Sequence, residues 1–170
     1  DGTTSRGLGD VYKRQGTIYF KAPETGRFEY YKAKEKTSGA YRGDYFTMGD
    51  IGYRDSDGYY FLTGRSADTI ISGGTNIYPQ EIDDVLLAHQ SVAEVCCIGV
   101  PNEEWGEEVK AVINLESGAD EDAVRKELVQ LAEEKLSGFK KPKTYEFWTE
   151  ELPRLPTGKI QRNLVKKRFW

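Results

Sequence analysis

The sequence predicts an α+β fold, a small β-sheet flanked by helices, and three observations carry that expectation. Two apolar runs, Val92–Val100 and Glu108–Leu115, have the length and β-branched content of core strands. Asp120–Leu136 repeats Val124, Leu128, Leu131, Ala132 and Leu136 at helical spacing, with acidic residues in its first turn, where the helix dipole favours them. Between Tyr45 and Thr63, two strand-like runs flank Asp55–Gly58, and Asp-Gly between apolar runs is a hairpin signal.

Taken in order, Asp1–Gln15 has no apolar periodicity and is expected to be a non-native or disordered leader. Gly16–Pro23 alternates through Ile18 and Phe20, a strand pattern. Glu24–Asp44 is polar and rich in Lys, Glu and Tyr, and is expected to be a helical excursion with loops. Tyr45–Arg54 reads as one strand and Tyr59–Thr63 as its partner. Gly64–Asp68 punctuates the chain and is the expected domain boundary. Beyond it, Ile70–Ile71 is a short strand and Ser72–Asn76 a Gly-rich loop. Pro79 suits a first helical position and opens a helix to about His89, with Ile82, Val85 and Leu86 on its apolar face. The loop PNEEWG joins the two long strands; Thr144–Trp148 is a third strand and Arg162–Phe169 a closing helix. From Thr69 onward this makes a compact domain of roughly 100 residues.

An apolar share of 38%, with three Trp, eleven Tyr and seven Phe, is enough for a real core. No apolar run approaches the ~18 residues of a membrane span. The two cysteines, Cys96 and Cys97, are neighbours in a predicted strand, so they point to opposite faces and do not pair; a reducing, cytoplasmic setting fits. His89, the single histidine, reads as a capping or packing group, and no metal site can be built on it. The net charge of −4 is unevenly spread: Gly138–Trp170 carries nine Lys/Arg against three Glu, leaving −10 for the rest. A basic tail on an acidic body suggests an anionic ligand near the tail. With Phe139, Tyr145, Trp148 and Trp170, that tail also admits a basic nucleic-acid-binding module, against which stand the acidic body and the lack of any groove-reading motif.

Chemistry concentrates in Pro156–Arg162, PTGKIQR. Pro156 fixes one φ and Gly158 allows a positive one, so Lys159 is expected at a loop tip with little backbone freedom. A single positioned cation suits phosphate or carboxylate chemistry, although a loop lysine taken alone is most often solvated. A second stretch, Gly64–Ile82 (GRSADTIISGGTNIYPQEI), and a third, Tyr45–Gly52 (YFTMGDIG), change the balance. Taken in chain order, the three motifs resemble the C-terminal part of the adenylate-forming (AMP-binding) enzymes, most closely the acyl-CoA synthetases, and the resemblance covers Gly16–Trp170.

The resemblance implies that residues 69–170 are the family's C-terminal domain, 64–68 its hinge, and 16–63 a β-rich remnant of the large N-terminal domain. It implies that Lys159 is the adenylation lysine, which bridges the substrate carboxylate and the α-phosphate. Asp50 would accept the ribose hydroxyls of ATP and Arg65 would meet the ribose or phosphate; Met48 stands where the family has threonine. Ala67 and Asp68 would form the hinge, Ala67 where Asp or Lys is usual. Gly73, Gly74 and Trp105 would line the passage for the pantetheine arm of CoA, and Phe139, Lys140, Lys141 and Lys143 would meet its nucleotide end. The intact enzyme would convert a carboxylic acid, ATP and CoA to acyl-CoA, AMP and pyrophosphate. Its phosphate loop, acyl pocket and Mg2+ ligands have no counterpart here, so the isolated chain is expected to be inactive. A carrier-protein ligase or another adenylation domain is the alternative. Neither nucleic acid nor a membrane span is implied.

Overall fold

The computed structural model describes residues 15–170 and shows an α+β fold in two units, one ending at Ala67 and one running Asp68–Trp170. The expectation for Asp1–Gln15 falls, Gln15 apart, outside the described residues. The first unit holds strands β1 (Gly16–Thr17) and β2 (Phe20–Lys21), helix α1 (Lys34–Gly39), and strands β3 (Tyr41–Arg42), β4 (Tyr45–Phe46), β5 (Asp50–Arg54) and β6 (Tyr60–Arg65). They make two antiparallel sheets, β1-β5-β6 and β2-β4-β3.

The single strand expected over Tyr45–Arg54 is therefore two strands in two sheets. Gly49 takes φ +84°, left-handed backbone that ends extended structure, and its N–H donates to Thr47 Oγ1 at 3.0 Å. In the excursion 24–44 the helix is only the six-residue α1, and the short strand β3 follows it. The Asp-Gly hairpin forms as predicted: Asp55 Oδ1 accepts from the N–H groups of Asp57 (3.0 Å) and Tyr59 (2.8 Å), and Gly58 sits at φ +96°. The buried apolar residues of this unit are Ala22, Ala40 and Ile51. Around them Phe46 meets the rings of Phe20, Phe28 and Tyr41 at 5.7, 5.5 and 5.9 Å between centroids.

The second unit comprises β7 (Ile70–Ser72), β8 (Thr75–Ile77), α2 (Pro79–Leu87), β9 (Val92–Asn102), β10 (Gly106–Leu115), α3 (Glu121–Lys135), β11 (Thr144–Phe147) and α4 (Arg162–Lys166). Strand β10 is the spine. It pairs antiparallel with β9 along its whole length, parallel with β11 over Lys110–Ile113, and antiparallel with β7 at Gly106↔Ser72. The loop expected over Ser72–Asn76 is a correction: β7 and β8 form a hairpin, Ser72↔Thr75, turned by Gly73 (φ +55°) and Gly74 (φ +77°). Two successive positive φ values define the mirror-image turn that matches strand twist, and Gly-Gly can adopt it without strain. Helix α4 is also shorter than the predicted Arg162–Phe169.

Both faces of this sheet are covered, which is why β9 reads as a continuous apolar run. One layer packs Ile70, Ile77, Ile82, Leu86, Val95, Cys97, Ala111 and Ile113 against Val124, Leu128 and Ala132 of α3. The other packs Cys96, Ile98, Val100 and Val112 against Leu152 and Val165. Cys96 and Cys97 thus lie in different layers, as strand alternation predicts, and both are free thiols. The α3 cap is the expected kind: Asp120 accepts from Ala123 N–H at 2.8 Å. His89 packs as expected, its Nδ1 accepting from Ser91 N–H (3.2 Å) while Nε2 meets Glu127 at 2.9 Å.

Candidate functional site

Lys159 is exposed at the end of a turn closed by the bridge Arg154↔Ile160. Leu155 N–H donates to Lys159 O and Gly158 N–H to Leu155 O, both at 2.8 Å, with Gly158 at φ +85°. The Arg154 guanidinium ties the turn down: Nη1 donates to Gly158 O and Nη2 pairs with Glu94 on β9. Gln161 adds two bonds, N–H to Pro153 O at 2.7 Å and Nε2 to Arg154 O at 2.9 Å. Among the described residues none is hydrogen-bonded to or ion-paired with the Lys159 ammonium. A cation is thereby held out to solvent on a rigid backbone, ready for an anion.

Behind the turn lies a pair that the sequence reading missed. Arg162, which opens α4, donates Nη2 to Asp83 Oδ2 at 2.6 Å and Nη1 to Cys97 O, and its Nε stands 3.9 Å from Asp68 Oδ2. Asp83, on α2, is 5% exposed and takes the Cys97 N–H on Oδ1 at 2.7 Å. Burial pushes the Asp83 carboxyl up from its ordinary 3.8, while Arg162 and the Cys97 N–H pull it back. Burial works against the Arg162 cation, yet the Asp83 carboxylate holds its proton beyond the ordinary range. A signal for this pair existed: Pro79, Ile82, Asp83 and Leu86 are the buried stripe of α2, so an acid stands at a core position.

The hairpin residues come together with the two aromatics. A Cβ on Gly73 would lie 2.9 Å from Trp105 Cε3 and 3.5 Å from Phe139, and Gly73 N–H donates to Trp105 O at 2.9 Å. Trp105 and Phe139, 40% and 38% exposed, meet at 5.2 Å between centroids. Asn102 Oδ1 shapes the loop by accepting from the N–H groups of Glu104 (3.0 Å) and Trp105 (2.9 Å). Gly74 has nothing within 4 Å of a would-be Cβ. The result is a bare backbone strip flanked by an aromatic pair.

The three lysines differ. Lys140 Nζ bonds both oxygens of Glu81 (2.9 and 2.8 Å), Lys141 pairs with Glu133, and Lys143 is exposed while its N–H donates to Val109 O at 2.8 Å. Two of the three are thus paired with carboxylates.

In the first unit, Asp50 and Arg65 are register partners across β5 and β6, and Arg65 Nε lies 3.2 Å from Asp50 Oδ1. Beside them an open cavity of about 540 Å3 is lined by Phe28, Tyr30, Lys36, Met48 and Arg65. Ala67 closes this unit and Asp68 opens the next, within one turn of 3-10 helix, Ser66–Asp68. Among the described residues no group of three or more His, Cys, Asp or Glu side chains could hold a metal ion, and no helix is long and apolar enough to cross a membrane.

Comparison with known proteins gives consistent likenesses. Residues 81–159 match the family described as the AMP-binding enzyme C-terminal domain. The chain is 39% identical over 147 residues to a long-chain-fatty-acid–CoA ligase of Bacillus subtilis (strain 168), covering 86% of this chain and 26% of that protein. Among solved structures it resembles the o-succinylbenzoate CoA synthetase from Bacillus subtilis in complex with its acyl-adenylate intermediate (TM-score 0.76, 32% identity, 90% of this chain and 30% of that one). It also resembles the amide bond synthetase McbA from Marinactinospora thermotolerans (TM-score 0.78, 31% identity, 99% and 32%). The chain thus spans less than a third of the length of each of these three proteins.

Proposed function

This chain carries an AMP-binding enzyme C-terminal domain, and from that premise we propose that it is the C-terminal portion of an ATP-dependent acyl-CoA synthetase. In this reading residues 69–170 are the mobile domain, 64–68 the hinge and 16–63 the end of the large domain. The intact protein joins a carboxylic acid to CoA with cleavage of ATP to AMP and pyrophosphate. The observation that carries the proposal is the mounting of Lys159: an ammonium free of partners among the described residues, on a turn tied down by Arg154 and Arg162. A preorganised cation stabilises charge that develops between an acyl carboxylate and an α-phosphate, because the reaction need not reorganise it.

The other residues fall into supporting roles. Asp50 offers carboxylate oxygens to ribose hydroxyls, with Arg65 beside it. Gly73, Gly74 and Trp105 form a strip that a thin, amide-bearing pantetheine chain fits: bare backbone on one side and an aromatic ring on the other. Phe139 supplies a further ring there, and Lys140, Lys141 and Lys143 supply cations for the phosphates of CoA. Mg2+ would be held by the large domain. The two buried thiols fit a reducing, cytoplasmic compartment.

The likeness to an amide bond synthetase supports a second reading, in which the acyl group passes to an acceptor other than CoA. A chimera separates the two: the large domain of the Bacillus subtilis long-chain-fatty-acid–CoA ligase joined to this chain at the hinge. Acyl-CoA formation that depends on Lys159 supports the synthetase. Adenylate that accumulates without transfer to CoA overturns the CoA assignment. A chimera that makes acyl-CoA equally well with Lys159→Ala overturns the role of the lysine.

A further inference from the structure

Glu107 belongs to none of the roles above, yet its carboxylate joins two parts of the second unit. It is the second residue of β10, and its side chain is 14% exposed. Oε2 accepts the Ile71 N–H at 2.8 Å, and Oε1 accepts from Lys166 Nζ of α4 at 2.7 Å. Strand β7 touches β10 at one register pair only, Gly106↔Ser72. One residue earlier the carboxylate of Glu107 takes the place of a ladder carbonyl, so that the Ile71 N–H is satisfied where the strands diverge. Space has been cleared for it: a Cβ on Gly99 would lie 2.8 Å from Glu107 Oε2. Trp170 finishes the arrangement, with Nε1–H donating to Gly99 O at 3.0 Å and Lys166 Nζ 4.5 Å from its ring centroid.

The hairpin needs such a tie. Among the described strands β8 pairs only with β7, and Ile71 is 55% exposed, so the hairpin is held by Ile70 and Ile77 on one face, by the Gly106↔Ser72 pair and by the Gly73 N–H bond to Trp105 O at its tip. A carboxylate has two oxygens and can hold two elements at once, and bonds to a charged acceptor are stronger than neutral ones. We infer that Glu107 is a positioning residue for the Gly73–Gly74 hairpin, which it couples to α4, the helix that follows the Lys159 turn. The inference rests on the reading of that hairpin as the one that meets the pantetheine arm. It gives the two loops of that reading a physical connection through one side chain.

Amide hydrogen exchange by NMR on the 170-residue chain tests this, with E107A, E107Q and K166M. In E107A the Ile71 amide should exchange at least ~10-fold faster, because its acceptor is gone, while Val112 and Ile113 on the same sheet keep their protection. E107Q retains an amide oxygen for Ile71 and should stay within about threefold of the parent. K166M alters a residue of α4 and none of the hairpin, yet it should move the Gly73 and Gly74 amide resonances. An Ile71 amide that E107A leaves protected overturns the inference. So does a loss of protection spread evenly over the sheet, or a K166M spectrum with an unmoved hairpin. Should E107A fail to fold, E107Q and K166M still decide the matter. Adding CoA to the parent chain tests the underlying reading separately: no movement of Gly73 or Gly74 would count against the CoA assignment, and the exchange data would still judge the clamp.

Discussion

The Lys159 turn and the Gly73–Gly74 hairpin are both glycine turns in the second unit, and they are built by opposite means. At Lys159 what matters is a side chain, and the surrounding contacts go to the backbone behind it: the 154↔160 bridge, the Arg154 tie to Gly158 O, and Arg162 anchored on Asp83. At the hairpin what matters is a strip of main chain, and the contacts exclude side chains, with the Trp105 ring filling the place where a Cβ on Gly73 would go. The lesson is that stability and function should separate at the first turn and coincide at the second.

The sharpest way to break that contrast is to remove the anchor of the first turn. Asp83→Ala leaves the Arg162 guanidinium buried without its carboxylate and should cost about 3–5 kcal/mol of stability, read as a drop in urea midpoint. A loss below ~1 kcal/mol would mean that the pair does not hold α4 in place. Lys159→Ala should do the reverse. The side chain is exposed, so the midpoint should hold, while pyrophosphate exchange in the chimera should fall by about 10²–10³, with transfer from ready-made acyl-adenylate spared. Equal loss in both half-reactions would erase the contrast.

Gly73→Ala comes next, at about 1–3 kcal/mol, since it demands left-handed backbone and meets Trp105. Gly74→Ala meets no atom and should lose only ~1 kcal/mol or so. If the two cost the same, the ring contact is not what shapes the hairpin. A separate effect is alkaline. Burial pushes the Cys96 thiol up to about 12 from an ordinary 9.0, so the unfolded chain releases this proton first. This contribution is complete below about pH 9 and is lost as pH rises toward 12, at about 1.4 kcal/mol per pH unit. Cys96→Ala should flatten the stability–pH slope in that window by this amount.

What was legible in the sequence is what depends on periodicity. The long α3, the apolar β9 and β10, and the Asp-Gly hairpin each carry their signal within their own stretch of chain. The break between β4 and β5 was not legible, because Gly49 alters one φ inside a run whose side-chain pattern stays strand-like. The hairpin at Ser72–Asn76 was legible in principle from Gly-Gly, but three-residue strands give too little alternation to declare themselves. Arg162 and Asp83 lie 79 residues apart, and nothing local to either names the other. In the candidate site, the motifs singled out Gly73, Trp105 and Phe139, which the fold places in contact. The partners that tie the Lys159 turn down, Glu94 and Asp83, come from distant elements.

The adjacent cysteines of β9 have a practical consequence. Because they face different layers, they are two built-in labels, one for each side of the sheet. A thiol reagent applied in graded denaturant would read the two layers separately from a single chain. Modification of Cys96 before Cys97 would mark the α4 side as the first to open, and the reverse order the α2–α3 side. The folding units of the domain could then be ranked by mass spectrometry of one tryptic peptide.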